Sequence, residues 1–268
     1  TVDISSNNSN GATFAKVGDV ITISVSASEN IQTPTVTIAG NAAAIATGSN
    51  GERVYTATYT MQSSDNTGVI PFTVDFSDMA NNAGTQVTAV ANDSDGGVTF
   101  DKQAPSFTTV TMSSNNSTST LAIVNDVITL NLTSDEAIKA GSDPTITVNG
   151  NTATVTRNST TSFTATYTMS SPADDAIDGS SIPINISAYT DATGNAGTTV
   201  TATTDGSAVT YDKTLPTLGT VTIASDNTYD HLATSGDVIT LTIVSSENIN
   251  TPTVSMLGAT TGVTVTQG

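Results

Sequence analysis

The chain has 268 residues and a formal charge of −18, from 24 Asp plus Glu against 6 Lys plus Arg, and only 11% of its residues are charged. It has no Cys, no Trp and a single His, and Thr alone supplies 54 positions. Such acidity repels phosphate and excludes nucleic acid as a partner. The missing thiols exclude disulfides, zinc–thiolate sites and a cysteine nucleophile. No apolar run approaches the roughly 18 residues of a membrane span.

Taken in chain order, the segments repeat. Thr1-Val2-Asp3-Ile4 opens as a strand. Gly18-Asp19-Val20-Ile21-Thr22-Ile23 follows, and returns as Asn125-Asp126-Val127-Ile128-Thr129-Leu130 and as Gly236-Asp237-Val238-Ile239-Thr240-Leu241. Each copy has a glutamate ten residues after its Asp: Glu29, Glu136 and Glu247. A Pro-Thr strand then begins at Pro34, Pro144 and Pro252. Tyr55-Thr56-Ala57-Thr58-Tyr59-Thr60-Met61 matches Phe163-Thr164-Ala165-Thr166-Tyr167-Thr168-Met169. Further on, Asp78-Met79-Ala80-Asn81-Asn82-Ala83-Gly84 matches Asp191-Ala192-Thr193-Gly194-Asn195-Ala196-Gly197. Two units end in linkers, Asp101-Lys102-Gln103-Ala104-Pro105 and Asp212-Lys213-Thr214-Leu215-Pro216.

The period within each unit is two. Ile21, Ile23, Val25 and Ala27 alternate with Thr and Ser, the pattern of a half-buried strand. Threonine suits the outward face because its branched Cβ fits a pleated surface. No stretch has helical spacing. Several strand-like runs per unit, separated by Asn, Gly, Asp and Ser turns, predict an all-β chain of tandem immunoglobulin-like β-sandwiches in a linear array. The expected units are 1–101, with its preceding linker missing, 102–212, complete, and 213–268, an N-terminal half. The expectation is a window from a longer array. If Gly268 were the true end, the open edge of the third unit could instead accept a strand from another subunit.

These elements together resemble the Ig-like tandem repeats of large bacterial and archaeal surface proteins: adhesin stalks, S-layer proteins and extracellular filaments. The resemblance implies an extracellular, cell-surface location and Ca²⁺ at domain junctions. It names no single ligand, because such repeats serve as spacers in many proteins.

Strand direction gives a separate argument for the metal. With seven antiparallel strands, the linker Asp101, the end of the second strand at Glu136 and the end of the sixth at Asp191 meet at one pole of the second unit, with Asn195 in the same loop. The matching set in the first unit is Glu29, Asp78 and Asn82; in the third it is Asp212 and Glu247. Close carboxylates repel unless protonated or neutralised. Ca²⁺ accepts 6–8 oxygen ligands in flexible geometry, whereas Mg²⁺ demands a strict octahedron. The alternative is that these Asp and Asn residues cap turns, as they commonly do. Asp19, Asp126 and Asp237 are expected to serve turns, and Lys102 and Lys213 to form surface salt bridges. His231 is expected in an exposed loop. Asn7 and Asn115 begin sequons at equivalent places and are candidate glycosylation sites.

No unit carries a catalytic constellation that the others lack, so no enzyme is expected. The leading expectation is a structural module whose neighbours are adjacent repeats or copies of the same protein. A module that binds glycan or a protein partner comes second, since aromatics are only 4% and fall mostly at inward positions.

Overall fold

A computed structural model describes residues 1–47, 51–90, 97–258 and 263–266. The chain is all-β, and its one helical element among the described residues is a 3₁₀ turn at Asp175–Ile177. It divides into two compact units, residues 1–212 and 213–268.

Side-chain alternation builds the strands of the first unit. In Val20–Ser26, Ile21, Ile23 and Val25 are buried while Thr22, Ser24 and Ser26 turn away. Val20–Ser26 lies between Val2–Ser6 and Val54–Thr60, and Ala44–Thr47 extends that sheet to four antiparallel strands. Thr35–Ile38 lies between Asn41–Ala42 and Phe72–Asp75 in a separate sheet. The same arrangement recurs further along. Val127–Ser134 lies between Phe107–Ser114 and Ser162–Thr168, with Thr154–Arg157 outside, and Thr145–Val148 lies between Asn151–Thr152 and Ile184–Ser187.

Each set closes around its own apolar core. One core joins Ile21, Ile23 and Tyr55 from the first sheet to Val36, Ile38 and Val74 from the second. The other joins Ile128, Leu130 and Phe163 to Ile146, Val148 and Ile186. These two-layered cores are consistent with β-sandwich domains. A short strand ends each set: Thr99–Phe100 runs parallel to Phe14–Ala15, and Thr210–Tyr211 parallel to Leu121–Ala122.

The second unit is a two-stranded sheet, Leu218–Ser225 against Ile239–Ser245. Among its described residues, Pro252 to Met256 forms no strand, apart from a bridge at Met256, contrary to the alternation in its sequence. In the first unit the matching strands are held by Phe72–Asp75 and Ile184–Ser187. No described strand of the second unit plays that part, so the segment has no ladder to join.

Candidate metal centre

Three carboxylates converge where the linker enters the second repeat. Asp101 follows the strand Thr99–Phe100, and its N–H donates to the Ala15 carbonyl at 2.9 Å. Glu136 lies just past Val127–Ser134, and the Ser134 hydroxyl donates to its carbonyl at 2.5 Å. Asp191 opens a loop closed by the Thr190–Ala196 bridge. Carboxyl oxygens of Asp101, Glu136 and Asp191 lie within 4.8 Å of one another; Asp191 is buried and the other two half-buried.

The loop from Asp191 to Asn195 is held by its own acid. Asp191 Oδ1 accepts from the Thr193 hydroxyl at 2.9 Å, the Gly194 N–H at 2.6 Å and the Asn195 N–H at 2.8 Å. Asp191 Oδ2 accepts from Asn195 Nδ2 at 2.8 Å. Asn195 Nδ2 also donates to the Asp101 carbonyl at 3.1 Å, stitching linker to loop. The amide of Asn195 thus faces these oxygens as a donor. Both readings of the acids meet here: Asp191 serves a turn and stands in the cluster.

Glu136 is the group left over. Its Oε1 is sealed from solvent with no hydrogen-bond partner. Burial, then the charges of Asp101, Asp191 and Asp135, push its pKa from the 4.5 of an ordinary glutamate to about 7. Asp135 points elsewhere: it accepts the Ser106 N–H and hydroxyl, both at 2.8 Å, and these bonds hold its carboxyl below the usual range. Among the described residues, no lysine or arginine forms an ion pair with the three clustered acids. An oxygen-only donor set with an unsatisfied buried oxygen fits a hard divalent cation, and suits Ca²⁺ best.

The first repeat presents part of the same set. Asp78 Oδ1 accepts the Ala80 and Asn82 N–H groups, both at 2.8 Å, and Oδ2 accepts Asn82 Nδ2 at 2.7 Å. The Asn82 bonds hold the Asp78 carboxyl below its ordinary pKa. Glu29 is exposed, and with Asp78 and Asn82 it lines an open cleft at that pole. Asp212 is half-buried at the end of the first unit, where its N–H donates to the Ala122 carbonyl at 2.9 Å. In the second unit Glu247 repeats Glu136: the Ser245 hydroxyl donates to its carbonyl at 2.5 Å, and its Oε1 is buried without a partner.

Two further features were not legible as sites. Asn8 Nδ2, Asn10 Nδ2 and Lys16 Nζ in the first repeat donate to the carbonyls of Thr193 (2.9 Å), Ala192 (3.2 Å) and Gly194 (2.8 Å) in the second. Lys139 Nζ returns a bond to Asn10 Oδ1 at 2.5 Å. The loop that carries Asp191 is therefore gripped from its other side by the preceding repeat. Close packing also explains the glycine of Asn-Ala-Gly. A Cβ on Gly197 would lie 1.9 Å from the Tyr189 ring, and one on Gly84 2.2 Å from the Phe76 ring.

Asp19, Asp126 and Asp237 serve turns, each accepting an asparagine amide: Asn8 at 2.6 Å, Asn116 at 2.7 Å and Asn227 at 2.9 Å. Lys102 forms no salt bridge with a carboxylate among the described residues. Its ammonium donates to the Ser63 and Asp65 carbonyls at 2.9 and 2.8 Å, because the linker folds back over a turn where both carbonyls converge. His231 is exposed beside Asp230. Asn7 and Asn115 are both exposed, and each accepts the first N–H of a paired long strand, from Val20 at 2.8 Å and Val127 at 2.7 Å.

No protein-family model matches the chain, and no curated protein matches it. A similar solved structure is the Bacteroides ovatus mixed-linkage glucan utilization locus SGBP-B in complex with mixed-linkage heptasaccharide. The alignment covers 79% of this chain and 46% of that one, at 15% identity and a TM-score of 0.20.

Proposed function

We propose that this chain is a structural segment of an extracellular, cell-surface or filament-forming protein, built from Ig-like repeats and stiffened by calcium at a junction between them. The observation that supports this reading is the gathering of Asp101, Glu136 and Asp191 within 4.8 Å. The three residues come from the linker and from two loops of the next repeat. A cation bound by all three ties the connection between sandwiches to the body that follows. A short linker otherwise leaves neighbouring domains free to reorient.

When bound, calcium neutralises the mutual repulsion of these acids and takes up the unpaired Glu136 Oε1. Backbone carbonyls or water would complete its coordination. Asn195 positions the set by holding Asp191 Oδ2 and the Asp101 carbonyl. The neighbours of such a segment are adjacent repeats or further copies of the same protein.

The test is thermal unfolding of the intact chain in millimolar calcium and in excess EGTA. A ligand that binds only the folded state stabilises by about 2.7 kcal/mol at a hundredfold excess over Kd. EGTA is expected to lower Tm by several degrees, and Glu136→Ala to remove most of that response. Identical melting curves with and without EGTA would overturn the proposal.

A further inference from the structure

The three clustered acids and the contact between the first two repeats are built from the same short segments. Phe100 pairs with Ala15 in parallel register, so Asp101 leaves the first repeat beside Lys16. The Asp101 N–H donates to the Ala15 carbonyl at 2.9 Å, and Lys16 Nζ donates to the Gly194 carbonyl at 2.8 Å. Gly194 in turn gives its N–H to Asp191 at 2.6 Å. Lys139 stands three residues after Glu136. Its N–H donates to the Thr190 carbonyl at 2.9 Å, next to Asp191, and its ammonium donates to Asn10 Oδ1. Each acid of the cluster therefore has a close neighbour, along the chain or across a ladder, that is committed to the contact between repeats.

The residues that make this grip differ between otherwise matching turns. Lys16 and Ile123 are counterparts, since the N–H of each donates at 2.8 Å to the turn aspartate, Asp19 or Asp126. Asn10 and Thr118 are counterparts as well, their N–H groups donating to Asn8 Oδ1 at 2.8 Å and Asn116 Oδ1 at 3.0 Å. Neither Thr118 nor Ile123 has a side-chain N–H. The second repeat nonetheless folds round its own core. The turn thus accepts either pair of side chains, and Lys16 and Asn10 are free to serve the junction.

We propose that Lys16 and Asn10 are positioning residues for the cation site of the following repeat, and that they set its calcium affinity from across the repeat boundary. This rests on the calcium reading above. Three carboxylates within 4.8 Å repel, which tends to spread the linker and the two loops apart. The grip opposes that spreading before any cation arrives, so less ordering is left to the binding step. The coupling is reciprocal: the factor by which the grip raises calcium affinity is the factor by which calcium tightens the grip.

The test is isothermal calorimetry of calcium binding to the full chain, well below its melting temperature, with Glu136→Ala identifying the heat that belongs to this site. The double variant Asn10→Thr with Lys16→Ile carries the side chains with which the second repeat already folds, and neither position is one of the clustered acids. It is expected to bind calcium about five- to tenfold more weakly than the parent. Loss of the Lys16 charge would by itself favour a nearby cation, so weaker binding reports positioning and not electrostatics. Asn10→Thr alone, which leaves the charge unchanged, is expected to weaken binding in the same direction. Lys16→Arg keeps a donor for the Gly194 carbonyl and is expected to bind like the parent. Circular dichroism of the variants should match the parent. Equal or tighter binding by the double variant would overturn this proposal and leave the calcium reading standing, whereas a parent chain that binds no calcium would overturn both.

Discussion

Lys16 Nζ in the first repeat donates to the carbonyl oxygen of Gly194 in the second at 2.8 Å. Gly194 also gives its N–H to Asp191 at 2.6 Å. The carbonyls of Thr193 and Gly194 thus face the preceding repeat, while the N–H groups of Gly194 and Asn195 face Asp191. Polar contacts from the preceding repeat grip the loop on one side, and its other side carries Asp191 of the acidic cluster.

Breaking the polar side tests its share. Lys16→Met removes a charge-assisted bond at a half-buried site and Asn10→Ala removes two more, to Ala192 and Lys139. The pair of substitutions is expected to cost about 1–2 kcal/mol of coupling between the repeats. Small-angle X-ray scattering should show a broader distribution of repeat–repeat distances, most clearly in EGTA. The separate cores leave each repeat folded, so circular dichroism should stay unchanged.

Asp174 is fully buried and accepts hydrogen bonds from four residues. Oδ1 accepts Asn149 Nδ2 at 2.9 Å and Asn151 Nδ2 at 3.2 Å; Oδ2 accepts the Tyr167 hydroxyl at 3.0 Å and the Ser170 N–H at 2.8 Å. Asp65 does the same work in the first repeat, taking Asn41, Tyr59 and Gln62. Asp174→Ala leaves several half-buried donors without their acceptor, and each such loss costs about 1 kcal/mol. The expected total is about 3 kcal/mol, read by denaturant unfolding. Asp174→Asn restores an acceptor but adds a donor, and should recover only part of it.

The alternation of Ile21, Ile23 and Val25 is enough to assign Val20–Ser26, and the repeat carries the same assignment to Val127–Ser134. Strand direction then brings the ends of those strands, and hence Glu136, to the pole of the linker. The grip of Asn8, Asn10 and Lys16 was not legible, because its acceptors are backbone carbonyls that any residue supplies. The Asp65 and Asp174 networks were hidden by spacing. Asp65 follows Met61 by four residues and Asp174 follows Met169 by five, so the repeat falls out of register there. The run from Pro252 to Met256 shows the converse error: alternation marks a strand only where a partner strand lies beside it.

Glu136 gives the junction a pH dependence with a definite sign. Its pKa is about 7 in the folded chain and 4.5 for an ordinary glutamate. Between those values the metal-free folded state binds more protons than the unfolded state, so stability falls as pH rises. The metal-free chain should therefore lose stability from this group across about pH 4.5 to 7, as Glu136 ionises beside Asp101 and Asp191. On the calcium proposal the trend reverses, because the cation would compete with the proton for the same oxygens and bind more tightly as pH rises. Thermal scans at pH 5, 6, 7 and 8 with EGTA should show a falling contribution that Glu136→Gln removes, since the amide does not titrate. With calcium present, the parent chain should instead gain stability across the same range, with protons released on binding in isothermal calorimetry. A parent and Glu136→Gln chain with the same pH profile in EGTA would assign the dependence to other groups.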